Sequence, residues 1–136
     1  MTMLIKDIER TDAIQYVKDN DCLNTVKNSL VHNDVSAQVV ANDNNEIFGI
    51  ITVKDILKLS HSDFALFKAK DICSTSLLYI SELDSIKQAS KMMVINKCHH
   101  LLITDATKEN IRGILSSLDI VNYYASQGEL EYTISG

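Results

Sequence analysis

The sequence contains no proline and no tryptophan, and only four of its 136 residues are glycine. The absence of proline carries no functional information by itself. Five tyrosines without a tryptophan are too few to indicate a platform on which single-stranded nucleic acid would stack. No apolar run approaches the roughly 20 residues that span a bilayer, so no membrane helix is predicted.

Cysteine is also scarce. Cys22, Cys73 and Cys98 are widely spaced and form no Cys-x-x-Cys pair, so neither a disulfide framework nor a structural zinc site is predicted. Two histidines follow Cys98, but adjacent residues of a strand point to opposite faces and cannot easily converge on one ion. We therefore predict no metal site.

The sequence predicts that the protein is neither secreted, nor a nucleic-acid-binding protein, nor an enzyme. Residues 1–7 carry an acid where a signal peptide would have an apolar stretch, which predicts a cytoplasmic location. The formal net charge is −5 and the basic residues form no stripe, so binding to nucleic acid through phosphate neutralisation is not expected. No nucleophile–base pair or glycine-rich phosphate loop is evident, so an enzyme is not expected either.

The most informative feature is a segment that occurs twice. Residues 49–55 read GIITVKD and residues 113–119 read GILSSLD, so that the glycine, the hydroxyl residue and the aspartate recur 64 positions apart. Shorter matches, such as Lys6–Ile8 with Lys70–Ile72, extend the similarity to the start of each copy. Because two copies are too few for a solenoid, we predict a closed pair related by a pseudo-twofold axis.

The hydrophobic pattern predicts five elements in each repeat, in the order strand, helix, strand, strand, helix. Asp21 and Asp84 are placed to act as N-caps of the first helix of each repeat. Apolar residues at helical spacing form one stripe along that helix. The stripes comprise Leu23, Val26, Leu30 and Val31 in the first repeat, and Ile86, Ala89, Met93 and Val94 in the second.

The element bounds follow from the same pattern. Strands are predicted at 13–17, 37–41, 47–51, 101–104 and 111–115, and closing helices at 53–59 and 117–127, the second ended by Gly128. The tail 129–136 alternates apolar and polar residues, which predicts either an added edge strand or a frayed end. We accordingly divide the chain into a first unit (1–63), a second unit (64–127) and a tail (128–136).

The repeated segment has two interpretations. Thr52 with Asp55, and Ser116 with Asp119, match the capping box, in which a hydroxyl and an acid satisfy the first amides of a helix. A helix start is also an anion site, because free N–H groups and the positive end of the dipole lie there. The hydroxyl could donate to a phosphate and the acid could accept from two ribose hydroxyls. Because the pair occurs twice, each time after a glycine, binding is favoured over capping alone.

These residues give the chain a resemblance to a tandem pair of cystathionine-β-synthase-type (CBS) domains, also called a Bateman module. The resemblance covers about residues 4–126 and rests on the two repeated segments, on Lys6–Ile8 and Lys70–Ile72, and on the strands at 38–40 and 101–103. It implies an α/β (α+β) fold of two β-α-β-β-α units packed through their sheets.

The resemblance also implies a function. The family's modules regulate other proteins, bind AMP, ADP, ATP or S-adenosylmethionine in the cleft between the repeats, and usually form homodimers through exposed helical faces. In that family the motif acid holds the ribose and the motif hydroxyl meets phosphate. This assigns the ribose to Asp55 and Asp119 and the phosphate to Thr52 and Ser116.

Further contacts are expected around these four residues. Lys54 and His100 are candidates for phosphate, and because the second repeat has Leu118 in place of Lys54, the first site is predicted to be better equipped for anions. A tyrosine of the adenine slot could stack on the base or fill the slot. The slot implied by the resemblance is lined by Ile14, Tyr16, Ala37, Leu77 and Tyr79. The alternative function is an interaction module without a ligand, in which both hydroxyl–acid pairs only cap helices.

Overall fold

The computed structural model describes residues 2–8 and 14–135, with the backbone alone described for 128–135. The described chain is mixed α/β and contains two three-stranded sheets. The strands are Tyr16–Lys18 (β1), Ala37–Ala41 (β2), Ile47–Thr52 (β3), Tyr79–Ser81 (β4), His100–Thr104 (β5) and Ile111–Ser116 (β6). The helices are Leu23–His32 (α1), Val53–Leu57 (α2), Asp63–Leu66 (α3), Ala69–Ile72 (α4), Ile86–Asn96 (α5) and Ser117–Ser135 (α6), and a 3₁₀ turn lies at Ile5–Asp7.

The two sheets have the same topology. In each, a short edge strand runs parallel to the middle strand, which pairs antiparallel with the third strand, giving the orders β1-β2-β3 and β4-β5-β6. The predicted hairpins are therefore confirmed. Both carry one register irregularity near the turn, between Val40 and Ala41 in one and between Ile103 and Thr104 in the other.

The spatial units do not follow the linear repeats. The chain separates into two compact units: Ala13–Leu77, here named the inserted unit, and Met1–Asp12 with Leu78–Gly136, here named the split unit. The sequence-based division, with a first unit of 1–63 and a second of 64–127, differs from this one at both ends. The leading segment of each repeat accounts for the difference, because it docks on the unit that contains the other repeat.

Backbone hydrogen bonds show this exchange of leading segments. In the split unit, the N–H of Ile5 donates to the carbonyl of Asp84 (2.9 Å) and that of Lys6 to Glu82 (3.0 Å). In the inserted unit, the N–H of Ala69 donates to Asp21 (2.8 Å), in the same geometry. Both leading segments also supply fully buried residues, since Ile5 and Ala69 are 0% exposed.

Each unit has its own hydrophobic core between its sheet and its helices. The split unit buries Ile5, Ile8, Ile80, Ile86, Ala89, Met93, Leu101, Ile103, Leu115 and Ile120. The inserted unit buries Val17, Leu23, Val26, Leu30, Val40, Ile51 and Ala69. Three residues of each predicted helical stripe are thus confirmed as core. The fourth was wrong in both helices, because Val31 and Val94 lie one position past the buried face and are 76% and 77% exposed.

The predicted N-caps were also wrong. The N-cap residues are Cys22 and Ser85, each one position later than predicted. Asp21 and Asp84 instead stabilise the turn that follows each edge strand, because their carboxylates accept the N–H of Lys18 (2.8 Å) and of Ser81 (3.1 Å). Each aspartate lies three positions after the last strand residue, the spacing at which a carboxylate folds back onto the backbone N–H that precedes the turn.

The ends of the closing helices differ from prediction as well. Helix α2 ends at Leu57, two residues early, whereas α6 continues through Gly128 to Ser135. A glycine that ends a helix adopts the left-handed conformation, with a positive φ. No described glycine has a positive φ, and the helix continues past Gly128. The tail is therefore neither an edge strand nor a frayed end over 129–135; Gly136 lies outside the described residues, as does the predicted start of the first strand at Ala13.

Candidate functional site

The first repeated segment forms a closed capping box where β3 meets α2. The Oδ2 atom of Asp55 accepts the N–H of Thr52 (2.9 Å) and the hydroxyl of Thr52 (3.0 Å). In return, the N–H of Asp55 donates to the Oγ1 of Thr52 (3.2 Å). Both side chains are half-buried, and the structural part of the interpretation is confirmed.

The second repeated segment has the same arrangement where β6 meets α6. The N–H of Ser116 donates to the Oδ2 of Asp119 (2.8 Å), and the N–H of Asp119 donates to the Oγ of Ser116 (3.1 Å). One difference concerns the hydroxyl protons. The Thr52 hydroxyl donates to its own aspartate, whereas among the described residues the Ser116 hydroxyl has no acceptor, so it is free to donate to a ligand.

The amides at the two helix starts are largely in use. The N–H of Val53 donates to the carbonyl of Ser36 (2.9 Å), and the N–H of Ser117 donates to the carbonyl of His99 (2.8 Å). With the third amide taken by the hydroxyl, only the N–H of Lys54 and of Leu118 remains without an acceptor in the described chain. Each helix start therefore offers an anion one backbone donor, fewer than the sequence pattern alone indicates.

The carboxylates of the two motifs retain more unused hydrogen-bonding capacity than the amides. The hydrogen bonds of both boxes end on Oδ2, and no described residue donates to the Oδ1 of Asp55 or of Asp119. A carboxylate oxygen can accept two hydrogen bonds. Each motif thus presents a fixed, half-buried acceptor beside one hydroxyl, which suits a vicinal diol better than a free phosphate.

A related turn lies outside the repeated segments, but it is not a capping box, because the N–H of Asp63 donates to the carbonyl of Ser60 (3.0 Å) and not to its hydroxyl. Ser60 donates both its N–H (2.9 Å) and its hydroxyl (2.8 Å) to the Oδ2 of Asp63. Sequence analysis missed it, although the Ser-x-x-Asp spacing was readable. It follows no strand and no glycine, so Ser-x-x-Asp spacing alone does not predict the closed box that the two repeated segments form.

The glycine of the first segment has a packing role. A Cβ on Gly49 would lie 2.9 Å from the Sγ of Cys73 and closer still to the carbonyl oxygen of Ser74. Ser74 forms a bridge with Ile50, exchanging two backbone hydrogen bonds of 2.9 Å. Residues 73–74 thus lie against the outer edge of β3, and Gly49 permits that approach.

The sheets bring some of the other predicted residues to the motifs. Ala37 is the register partner of Thr52, and His100 is that of Ser116, so each begins the middle strand beside a motif hydroxyl. Lys54 is exposed on the first turn of α2 and makes no hydrogen bond or ion pair with the described residues.

The predicted adenine-slot tyrosines lie on the edge strands. Tyr16 pairs with Val39, and Tyr79 pairs with Leu102. In each sheet the middle strand therefore separates the tyrosine from the strand that leads into the motif, β3 or β6. Both tyrosines are about half exposed, at 52% and 46%. Ile14 and Leu77 are half-buried, and each lies two positions before the start of its edge strand. Neither ring fills a buried space within its own unit, and both interpretations, stacking on the base and filling the slot, stay predictions.

Two cysteines of the inserted unit differ in acidity. Burial raises the pKa of the Cys73 thiol, and the negative charge of nearby Asp55 raises it further. Hydrogen bonds from the backbone and the hydroxyl of Thr25 lower the pKa of Cys22, which caps helix α1.

We expect iodoacetamide at pH 7.5 to alkylate Cys22 several times faster than Cys73, because the thiolate is the reacting species. Peptide mass spectrometry over time gives both rates. Replacing Asp55 by asparagine should accelerate alkylation of Cys73 and leave the rate at Cys22 unchanged. Equal rates at the two cysteines in the unmodified protein would contradict this assignment.

Within residues 2–8 and 14–135, no three histidine, cysteine, aspartate or glutamate side chains are grouped as a metal site would require. None of the helices in that part of the chain combines the length and the apolar character needed to cross a bilayer.

Comparisons with known proteins identify the family. A family model described as the CBS domain matches the chain twice, at residues 5–62 and 69–126. An uncharacterized 33.4 kDa protein from a ribosomal RNA operon of Thermofilum pendens is 23% identical over 115 residues, which are 85% of this chain and 38% of that protein. The chain therefore spans about two fifths of that relative's length.

Solved structures share the fold. A CBS-domain-containing protein of Agrobacterium tumefaciens has a TM-score of 0.77 at 17% identity, covering 90% of this chain and 93% of that one. The CBS domain of a bacterial CNNM/CorC-family Mg²⁺ transporter in complex with ATP has a TM-score of 0.72 at 15% identity, covering 88% and 84%. At these identities the likeness concerns the fold. The doubled match of the family model shows that the chain belongs to the CBS domain family and carries two copies of that domain.

Proposed function

We propose that the chain is a regulatory module that binds an adenosine-containing ligand, namely AMP, ADP, ATP or S-adenosylmethionine. Membership of the CBS family supports this proposal, as does the presence of ATP on the similar domain of the Mg²⁺ transporter. The observation that carries it is the pair of equivalent motifs, each with one carboxylate oxygen fixed by a box and the other available.

In this proposal each motif residue has one role. Oδ1 of Asp55 and of Asp119 accepts hydrogen bonds from the ribose hydroxyls. The hydroxyls of Thr52 and Ser116 meet the phosphate, or the group in its place, together with the free N–H of Lys54 or Leu118. Ser116 needs no rearrangement to donate, whereas Thr52 must first give up its bond to Asp55.

The other predicted contacts complete the site. The Lys54 ammonium and the His100 ring add positive or hydrogen-bonding groups on the phosphate side. The adenine lies against Ile14, Tyr16 and Ala37 in one repeat and against Leu77 and Tyr79 in the other. We further propose a homodimer as the working form; the cytoplasmic location stays a prediction.

The alternative is a ligand-free interaction module, and the closed boxes favour it to some extent because they are complete without a ligand. A thermal-shift titration separates the two functions. We expect at least one of the four ligands, at 100 times its dissociation constant, to add about 2.7 kcal/mol of stability and raise Tm by roughly 10 °C.

The variants Asp55→Ala and Asp119→Ala, combined, should abolish that shift. Each also loses a cap, worth about 1 kcal/mol, so the unliganded Tm falls as well. Asp63→Ala is the control, because it removes a carboxylate outside the motifs that likewise accepts the N–H and the hydroxyl of a residue three positions earlier, Ser60. It should keep the full ligand shift. If no ligand shifts Tm at millimolar concentration, the interaction module is the correct function.

A further inference from the structure

Two side-chain oxygen atoms in the described residues are buried without a hydrogen-bond partner, Oε1 of Gln38 and Oδ1 of Asp19. Both belong to the inserted unit. A buried polar atom without a partner destabilises the folded state, because its hydration is lost and not replaced. The repeat provides a comparison, since the split unit contains an equivalent of each residue.

Gln38 lies on the middle strand, is 0% exposed and contacts helix α1. Its Nε2 donates to the Oγ of Ser29 (2.8 Å), which also accepts from the Nδ2 of Asn33 (3.2 Å). Turning the amide over would satisfy Oε1 and leave Nε2 unpaired, so either orientation leaves one atom without a partner. The split unit has Leu101 and Met92 at the positions of Gln38 and Ser29, and Leu101 belongs to its core.

Asp19 follows the edge strand, and its equivalent in the split unit is Glu82, since their N–H groups make the same 2.8 Å bond to the middle strand. Glu82 forms an ion pair with Arg112 (3.3 Å). The position of Arg112 is occupied by Phe48 in the inserted unit. Within residues 2–8 and 14–135, the carboxylate of Asp19 therefore lacks the cation that its equivalent has.

The hydrophobic cores also indicate that the inserted unit is the less stable of the two. Among the described residues each unit buries eleven apolar side chains, but those of the inserted unit are smaller: three are alanine and four are valine, against one alanine and no valine in the split unit. The exchanged leading segment contributes Ala69 to the first and the larger Ile5 to the second. Burial of apolar area is the main source of stability, so the inserted unit has less of it.

The chain order makes separate unfolding feasible. The inserted unit is one continuous segment, and both of its ends join the split unit. When residues 13–77 unfold, the two parts of the split unit still share their own hydrogen bonds, such as that between Ile5 and Asp84. The unfolded segment is then a loop closed by a folded unit.

We propose that the inserted unit unfolds locally as one block while the split unit stays folded, and that the unpaired groups of Gln38 and Asp19 make it the weaker unit. This opening is a conformational switch built into the repeat. Since Thr52 pairs with Ala37 and Val53 is bonded to Ser36, it dismantles the first motif and leaves the second intact.

Hydrogen exchange of the full chain, read by mass spectrometry under native conditions, tests this proposal. Amides of α1 should exchange at least tenfold faster than those of α5, and those of β2 and β3 should exchange with α1. Gln38→Leu, which installs the residue of the split unit, should slow exchange in α1 about tenfold and leave α5 unchanged.

A second variant tests the proposal independently, in case Gln38→Leu does not fold. Phe48→Arg supplies Asp19 with the cation that Glu82 has and should slow exchange in α1 severalfold. Phe48→Ala, which removes the aromatic ring without adding a charge, is the matched control and should not slow it. The proposal is overturned if α1 and α5 exchange at the same rate, if α5 exchanges faster, or if neither Gln38→Leu nor Phe48→Arg slows α1.

Discussion

Replacing Ile5 by alanine is expected to lower the free energy of unfolding by about 2–5 kcal/mol. The residue is close to the N-terminus, where the first few residues of a domain often contribute little. Here it is 0% exposed and lies in the core of the split unit together with Ile80 and Ile86. Removing three carbons from that position loses their burial and leaves a cavity. Urea denaturation followed by circular dichroism measures the change.

Two neighbouring variants make this result interpretable. Lys6→Ala alters an exposed residue of the same 3₁₀ turn and should change stability by less than about 0.5 kcal/mol. Ile5→Val should cost about 0.5–1.5 kcal/mol, between the two. An Ile5→Ala protein as stable as Lys6→Ala would mean that the leading segment does not dock on the split unit.

Much of the fold could be predicted because local patterns determine it. The apolar runs of β2, β3, β5 and β6 and the spacing of residues such as Leu23, Val26 and Leu30 reflect burial on one face of an element. The repeat then predicted that both halves share one topology. These features depend on residues close together in the chain, so the pattern carries the information.

The exchange of leading segments could not be predicted in the same way. Lys6–Ile8 and Lys70–Ile72 resemble each other, and each would match either unit, so the repeat does not reveal which unit a leading segment joins. The choice depends on the path of the chain in three dimensions. The N-caps could not be predicted for a similar reason. Aspartate is a favoured N-cap residue, but the carboxylate of Asp21 accepts a hydrogen bond from the preceding turn instead.

The candidate site was predictable in position and only partly in chemistry. The spacing of Thr52 and Asp55 was enough to predict the box. It could not show that the carbonyl of Ser36 takes the first amide of α2, because that bond depends on the pairing of β2 with β3. The number of free donors at a helix start is a tertiary property, and here it leaves each carboxylate with more unused hydrogen-bonding capacity than the amides.

The second large effect is expected at Gly49, where alanine should lower the free energy of unfolding by about 1–3 kcal/mol. A glycine before a binding motif suggests room for a ligand, but here the room is occupied by residues 73–74. An added Cβ meets the Sγ of Cys73 at 2.9 Å and the carbonyl oxygen of Ser74. Since that carbonyl is bonded to the N–H of Ile50, it cannot move away without breaking the bridge.

A double variant tests which contact limits the position. Cys73→Ala removes the sulfur but not the carbonyl, so Gly49→Ala combined with Cys73→Ala should recover little of the loss that Gly49→Ala causes. Denaturation of the four proteins of this cycle gives the coupling energy between the two sites. If the double variant recovered all of the loss, the sulfur alone would limit the site. If Gly49→Ala were as stable as the unmodified protein, residues 73–74 would not be held against β3, and the glycine would be available for a ligand.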